Sequence, residues 1–582
     1  MVLRGNTKSM DGFSHGDFSL FEHILGLVVS IAVLIAETIV LVLNIDRVRI
    51  TSIFDLFNNF MLLSIYVSYI CSIVLIPAIA SWSIDFAKEF INMYRLYIVR
   101  SLKLSSTKFF YRGIHITLLL TSVSFGMIII GIMTGYTYLS LLSLLPLSLL
   151  IILFVKPFID IHMHEKGIER ELRWFLVLLL VIESVGSNIG FLITRLKRAS
   201  ILPAITQELR VIDRDSKLYY VSHIDAMIHR SDITPSKRFA KILAGYSSKL
   251  RGGGDIYTWL RTKLEEEMMY GELSLRMFME RALSILGQLA MAIYVILPLI
   301  SLSVAIFMNI QLIVLIAIIS TPMLIAISYS LRPKMPIAID SRTPIYSFIV
   351  LSITSLALYR YVGIYSIVIG WLFAIALSFR LYLRIREYDI LDTDSIEILR
   401  NIIELRRAGL TIPRALEYIA NSKMVRKVTA ERIRYIVKLV ENGHNIIDIV
   451  GREKAPFLFK FTLFTLGLIH ESGGGSIDVF QELYEYINRS KVFEDNIKKM
   501  ATFFDIFALA NTFIIVWVWN NIYPLYSMFT SLPLDAIHLL IMVSTLCYAI
   551  VSTVIRRALP IFEPRSIAFL LLSMASISLI RV

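Results

Sequence analysis

Apolar positions along this chain gather into runs of about 20 residues, the length a helix needs to cross a hydrocarbon core about 30 Å thick. Such runs fill 24–44, 57–80, 114–135, 137–155, 282–306, 311–330, 362–381, 502–526, 535–555 and 565–580, with a weaker run at 345–360. The pattern predicts an all-α, polytopic membrane protein with about 11 transmembrane helices. Before the first run, Asp11, Asp17 and Glu22 outnumber Arg4 and Lys8, and no small-residue cleavage site follows. That run therefore reads as an anchor that stays in the membrane.

Two long polar stretches interrupt the runs, 157–281 and 384–500. Neither alternates in the manner of a strand. Both carry apolar residues at helical spacing, as in Val479, Phe480, Leu483, Tyr486 and Ile487, so both are expected to be helical bundles. They also resemble each other. KLRGGGDIYTWLRTKLEE, with Gly252, Gly253 and Gly254, aligns with IHESGGGSIDVFQELYEY, with Gly473, Gly474 and Gly475. Upstream, IESVGSNIGFLITRL faces LRRAGLTIPRALEYI, pairing Gly186 with Gly409, and SHIDAMI faces GHNIIDI. A near-constant spacing of about 220 residues over several landmarks predicts two copies of one unit, with extra helices at both ends.

The repeat settles one ambiguous run, 174–195, which is apolar enough to pass for a span. Its counterpart at 396–420 holds Arg400, Glu404, Arg406, Arg407 and Glu417. Each such charge costs a few kcal/mol at the bilayer centre, so the second copy cannot cross. By parallel topology, 174–195 is expected to be a buried helix pair broken at Gly186-Ser187-Asn188. The glycine triplets read as helix-to-helix turns, with Asp255 and Ser476 at the N-cap positions that follow. A phosphate cradle would need a preceding strand and a Gly-x4-Gly-Lys-Ser/Thr pattern, and neither occurs. Gly186, Gly409 and Gly443 are expected to end helices in the same way.

Domain limits follow. Residues 1–113 form an N-terminal tail, two spans and a basic linker, and 114–156 a membrane hairpin. Residues 157–281 are the first soluble domain, and 282–383 four spans with a short basic linker at 331–344. Residues 384–500 are the second domain, and 501–582 three final spans. Over the whole chain of 582 residues, 56% are hydrophobic and 18% charged, against about a quarter charged in soluble domains. The formal net charge of +13 invites a nucleic-acid reading, but its placement argues otherwise. Linker 82–113 carries six basic residues against two acidic, whereas domain 384–500 is nearly balanced at 19 against 17. Basic short loops and both domains fall on one side, which the positive-inside rule makes cytoplasmic. No basic stripe suits nucleic acid.

Candidate chemistry is sparse. His162, His164 and Glu165 fall short of a metal ligand set, and no triad, HExxH or paired-carboxylate pattern stands out. No cofactor, metal site or enzymatic activity is expected. Glu37 and Asp505 lie within apolar runs, where carboxylates are functional candidates by default. Arg95, Arg100, Lys103, Arg332 and Lys334 are placed to meet an acidic partner or anionic lipid head groups.

The segment LRNIIELRRAGLTIPRALEYIA, the glycine turn at ENGHNIIDIV and LGLIHESGGGSIDVFQEL together resemble the type II secretion system F domain. The second copy resembles it well. The first is degenerate, lacking the glycine near His223. Two such domains in a chain with extra spans resemble the archaeal platform proteins of archaella and adhesive pili. The resemblance implies a non-enzymatic platform in the cytoplasmic membrane. It would work with a hexameric secretion ATPase, with pilin- or archaellin-like subunits and with membrane lipids, as a homodimer. The alternative is a secondary transporter built from parallel repeats, which would concentrate polar residues and helix breaks near the middle of its spans.

Overall fold

The computed structural model describes residues 144–292 apart from 283, 285 and 286, then 310–331, 342–526 apart from 364, and 534–578 apart from 558. The expected spans at 24–44, 57–80 and 114–135, residues 137–143 of the span 137–155, and all but the start of 282–306 lie outside the described residues. So do Glu37, Arg95, Arg100, Lys103, Arg332 and Lys334.

The described residues are helical, with no strand among them. In chain order the helices are α1 (Leu144–Ser184), α2 (Ile189–Ala199), α3 (Pro203–Tyr219), α4 (His223–Ile233), α5 (Lys237–Gly252) and α6 (Ile256–Arg281). Then come α7 (Gly287–Met291), α8 (Ile310–Leu331), α9 (Arg342–Val362), α10 (Tyr365–Arg407), α11 (Ile412–Asn421) and α12 (Lys427–Glu441). The last are α13 (Ile446–Arg452), α14 (Phe457–Glu471), α15 (Ile477–Tyr526), α16 (Leu534–Arg557) and α17 (Ser566–Ser578). Helices α11 to α15 each start 220 to 224 residues after α2 to α6 in the same order.

The chain divides into two compact units, one comprising residues up to 168 with 229–241, the other 169–228 with 242–582. In the first, the Ser236 hydroxyl accepts the Phe239 N–H at 3.3 Å, a local cap on the start of α5. His162 pairs with Glu165 at 3.5 Å, three residues along one helix.

In the second unit, α14 is the central helix of a helical bundle. Phe459, Phe461 and Phe464 are fully buried, as are Leu466 and Leu468, because α14 is apolar on all sides and must be enclosed. The stripe Val479, Phe480, Leu483, Tyr486 and Ile487 on α15 is buried as its spacing predicts. Trp174 to Ile182 on α1 is buried by protein throughout. Trp174 meets Phe457, Phe461 and Tyr486 edge-on, with ring centroids 5.0, 4.8 and 5.0 Å away, an arrangement that ring quadrupoles favour. The apolarity of 174–195 thus belongs to a protein core. Its helix breaks after Ser184, where Gly186 turns back at φ +67° and α2 begins at Ile189 behind the Asn188 cap.

Among the described residues of this unit, four helices are long and apolar enough to cross a membrane: α9, α10, α15 and α16. The described parts of the runs at 311–330 and 565–580 form shorter apolar helices, 316–330 and Ser566–Ser578. Helix α9 packs along α10, α8 and α15 pack against α16, and α17 against α15 and α16. Hydroxyl and indole groups join these helices. Ser347 bonds Ser378 at 2.8 Å, and the Trp371 indole N–H donates to Ser566 at 3.1 Å. Gly370 lies so close to α9 that a Cβ there would come within 3.0 Å of the Leu351 carbonyl, the small-residue contact typical of membrane helix pairs.

Two helices run on across expected domain limits. The sequence suggests a boundary between the span 362–381 and a domain starting at 384, and another between 500 and 502. In the structure each is a single helix, α10 over 43 residues and α15 over 50. The cause is local: no glycine or proline stands between Trp371 and Arg407, or between Ile477 and Asn521, so nothing interrupts the backbone ladder.

Candidate functional site: a charged junction below the helical bundle

Where α10 and α15 leave their apolar stretches, charged side chains from four elements converge. Asp389 on α10 pairs with Lys498 on α15 at 3.3 Å and with Arg557 at the end of α16. Arg557 also reaches Glu563 in the α16–α17 link at 3.3 Å, and Glu563 holds Arg565. One turn deeper, Asp505 pairs with Arg556 at 2.6 Å and accepts the Ser552 hydroxyl. On the bundle side, Glu494 binds Lys498 at 2.9 Å and Lys491 at 3.2 Å.

The electrostatics follow from burial opposed by partners. Burial opposes charge on Glu494, yet Lys491 and Lys498 hold it below the ordinary carboxylate range. Burial also opposes the charge of Lys498, but Glu494 and Asp389 raise it. Glu563 is pushed up by burial even with Arg557 and Arg556 beside it. Partly buried pairs of this kind contribute little net stability, but removing one partner strands the other at a cost of about 3 kcal/mol. The network therefore specifies geometry: it fixes how the polar ends of α10 and α15 sit on α16.

Above the junction, α10 supplies two more carboxylates, each aimed at the start of another helix. Asp392 accepts the Phe459 N–H at the start of α14, 3.1 Å away, and burial with Glu494 nearby pushes it up to about 7. Asp394, 4% exposed, accepts the Arg426 N–H at 3.2 Å and its Nε at 2.8 Å, and the Thr429 hydroxyl, at the start of α12. In the first segment Glu171, 5% exposed, accepts the N–H of Ala204 at 3.2 Å and of Ile205 at 2.9 Å, at the start of α3. Free N–H groups at a helix start favour a negative partner, so each carboxylate ties one helix to the start of another.

The glycines singled out by the repeat sit at the far end of the bundle. Gly409 and Gly186 end α10 and α1 with φ of +87° and +67°, and Gly443 ends α12 at +83°. Gly473, Gly474 and Gly475 all have positive φ, whereas in the first triplet only Gly253 does, with Gly252 still helical. Asp255 caps α6, accepting the Thr258 N–H at 3.1 Å, and Ser476 precedes Ile477 at the start of α15. Where the second segment uses Gly443, the first uses Tyr220, at φ +52° and almost fully exposed. The missing glycine noted in the sequence is thus a tyrosine held in the conformation a glycine would take.

Of the predicted site residues, Asp505 belongs to the junction, where its charge is met by Arg556. Sequence reading missed Asp389, Asp392, Asp394 and Glu171. One signal was available, since the spacing of about 220 residues read from the sequence sets Glu171 against Asp394. Among the described residues, no group of three His, Cys, Asp or Glu side chains is placed to hold a metal ion.

Comparison with known proteins places this geometry. No curated protein and no solved structure matches the chain. Residues 398–518, from the distal part of α10 through the first apolar turns of α15, match the family described as Type II secretion system (T2SS), protein F. About a fifth of the chain is therefore similar to secretion-system protein F, and that fifth is the helical bundle standing on the charged junction.

Proposed function

We propose that this protein is the membrane platform of a type II secretion or type IV pilus-like machine. The observation that carries the reading is the protein F match at 398–518 in a bundle whose last helix continues unbroken into a membrane-length apolar stretch. Domains of this family are found in membrane platform proteins of secretion and pilus systems, which work with a secretion ATPase and pilin-like subunits. In this reading the chain is not an enzyme. It sits in the cytoplasmic membrane with its helical domains in the cytoplasm, and it couples a hexameric ATPase to insertion of pilin- or archaellin-like subunits into a filament. Residues 157–281 are a diverged second copy of the matched domain. The recurring helix starts and the matched carboxylates Glu171 and Asp394 support that assignment.

Deleting the gene and imaging surface filaments tests the proposal. Loss of a filament, restored by the wild-type chain, is expected, together with co-purification of a secretion ATPase. Intact filaments and secretion in the deletion strain would overturn it.

A further inference from the structure

We propose that the outward face of α11 and α12 is a docking surface for an acidic face of a soluble protein other than a second copy of this chain. The proposal rests on reading 398–518 as a platform domain on the soluble side.

Helix α11 buries Ile412, Ala415, Leu416 and Ile419 and turns Arg414 and Tyr418 outward. Helix α12 buries Ala430, Ile433, Ile436 and Val437 and turns Arg434, Tyr435 and Lys438 outward. The Arg434 guanidinium donates to the Ala420 carbonyl at 3.1 Å, so the two outward stripes adjoin. Tyr418 is 52% and Tyr435 54% exposed, an arrangement of aromatic and basic groups of the kind enriched at binding hot spots. Between 412 and 441 seven basic residues stand against three acidic ones, so the surface is positive. Arg426 and Arg432 are spent on Asp394 and on Glu387 and Glu453. Arg414, Lys423 and Lys438 form no ion pair among the described residues.

The counterpart helix α2 indicates what such a face holds. Phe191, Arg195 and Arg198 occupy the positions of Arg414, Tyr418 and Asn421. That face of α2 is filled by the second segment: Arg195 pairs with Glu471 at 2.6 Å and Arg198 with Asp448 at 3.9 Å. Gly451 fits so closely that a Cβ would come within 3.0 Å of the Ala199 Cα. The same helix face thus grips an acidic helical surface inside the chain, while on α11 it is open.

Among the described residues, a second copy offers no free equivalent of that surface. Its Glu471 and Asp448 are already engaged. Its first segment has Lys249 and Leu250 where Glu471 would stand, and there Asp225, the match of Asp448, is held by Arg251. Lipid head groups are out of reach of Arg414 and Lys438, although the start of α12 returns to Asp394 and Ile390 nearer the apolar run. Helix α11 follows the far end of α10, about 25 residues and so roughly 40 Å beyond the apolar run that ends at 381.

The test uses the full chain in phosphatidylcholine nanodiscs, with fluorescent poly-L-glutamate as probe. The wild type is expected to bind, and Arg414→Glu/Lys438→Glu to weaken binding about tenfold, as reversal of two exposed charges implies. Lys263→Glu on α6 serves as the control and is expected to bind as the wild type does. Equal binding by the double variant, with an unchanged melting temperature, would overturn the proposal. A photo-crosslinker at Tyr435 in cells gives a second readout. An adduct to a soluble protein that is lost in the double variant supports the surface. Adducts only to lipid or to a second copy overturn it. Loss of probe binding in the double variant leaves the surface standing even where the deletion strain keeps its filaments and secretion, a result that sinks the platform reading instead.

Discussion

Glu171 and Asp394 lie 223 positions apart, and each reaches from a long helix to the backbone N–H groups that open a neighbouring one. Their environments differ. Asp394 meets an arginine and a hydroxyl, whereas Glu171 has backbone partners in a buried setting, and burial pushes it up to about 7 from about 4.5.

That raised value makes the first segment sensitive to pH. A carboxyl whose folded value lies above its unfolded one favours the folded state while protonated. The stabilising contribution is full below about 4.5 and is lost as pH rises through about 7. Over that window about 3 kcal/mol is at stake. Thermal unfolding in detergent should show the midpoint falling from acid to neutral pH, and Glu171→Gln should flatten the dependence. A Gln variant with an unchanged slope would place the pH dependence elsewhere.

The Asp389–Arg557 pair allows a cycle of substitutions. Asp389→Arg alone puts a cation beside Arg557 and Lys498 and should destabilise by about 3 kcal/mol. Adding Arg557→Asp should recover at least 1 kcal/mol of that loss, the coupling expected of residues in contact. Melting temperatures of the four proteins measure it, and additive losses would show that the pair does not couple.

Trp174 carries much of the packing between the first segment and α14–α15. Trp174→Ala should cost about 3–5 kcal/mol and raise amide exchange in Phe457–Glu471 on α14. Exchange rates that stay at wild-type values would mean α14 is held without it.

Gly474 has φ +105°, and a Cβ there would meet the Arg406 guanidinium at 3.3 Å. A β-branched residue is strained in that backbone whatever the space. Gly474→Val should leave membrane insertion intact while filament assembly fails, scored by fractionation and by filament imaging. Normal filaments would show that the turn tolerates the change.

Much of the fold was legible because it is written in local pattern. Gly409 followed by Thr411 and Pro413 marks a helix end and a new start, and the stripe from Val479 to Ile487 declares its buried face. The reading of Trp174 to Ile182 as protein core came from comparing it with a charged counterpart. What could not be read is held by distant pairs. Asp389 and Arg557 are 168 residues apart, and no periodicity links them. The continuity of α10 and α15 also escaped notice, because hydropathy changes at 381 and 502 while the backbone does not. Tyr220 was hidden for the opposite reason: its strain is visible only in φ.

The length of α15 has a mechanical consequence. Fifty residues of unbroken helix span about 75 Å, with the glycine turn at one end and Tyr526 in the apolar region at the other. With no glycine or proline between Ile477 and Asn521, its backbone ladder runs unbroken from the bundle into the apolar stretch. The charged junction at Lys498 grips this helix 21 residues from its start, so the bundle and the apolar stretch share one axis and neither can tilt without carrying the other.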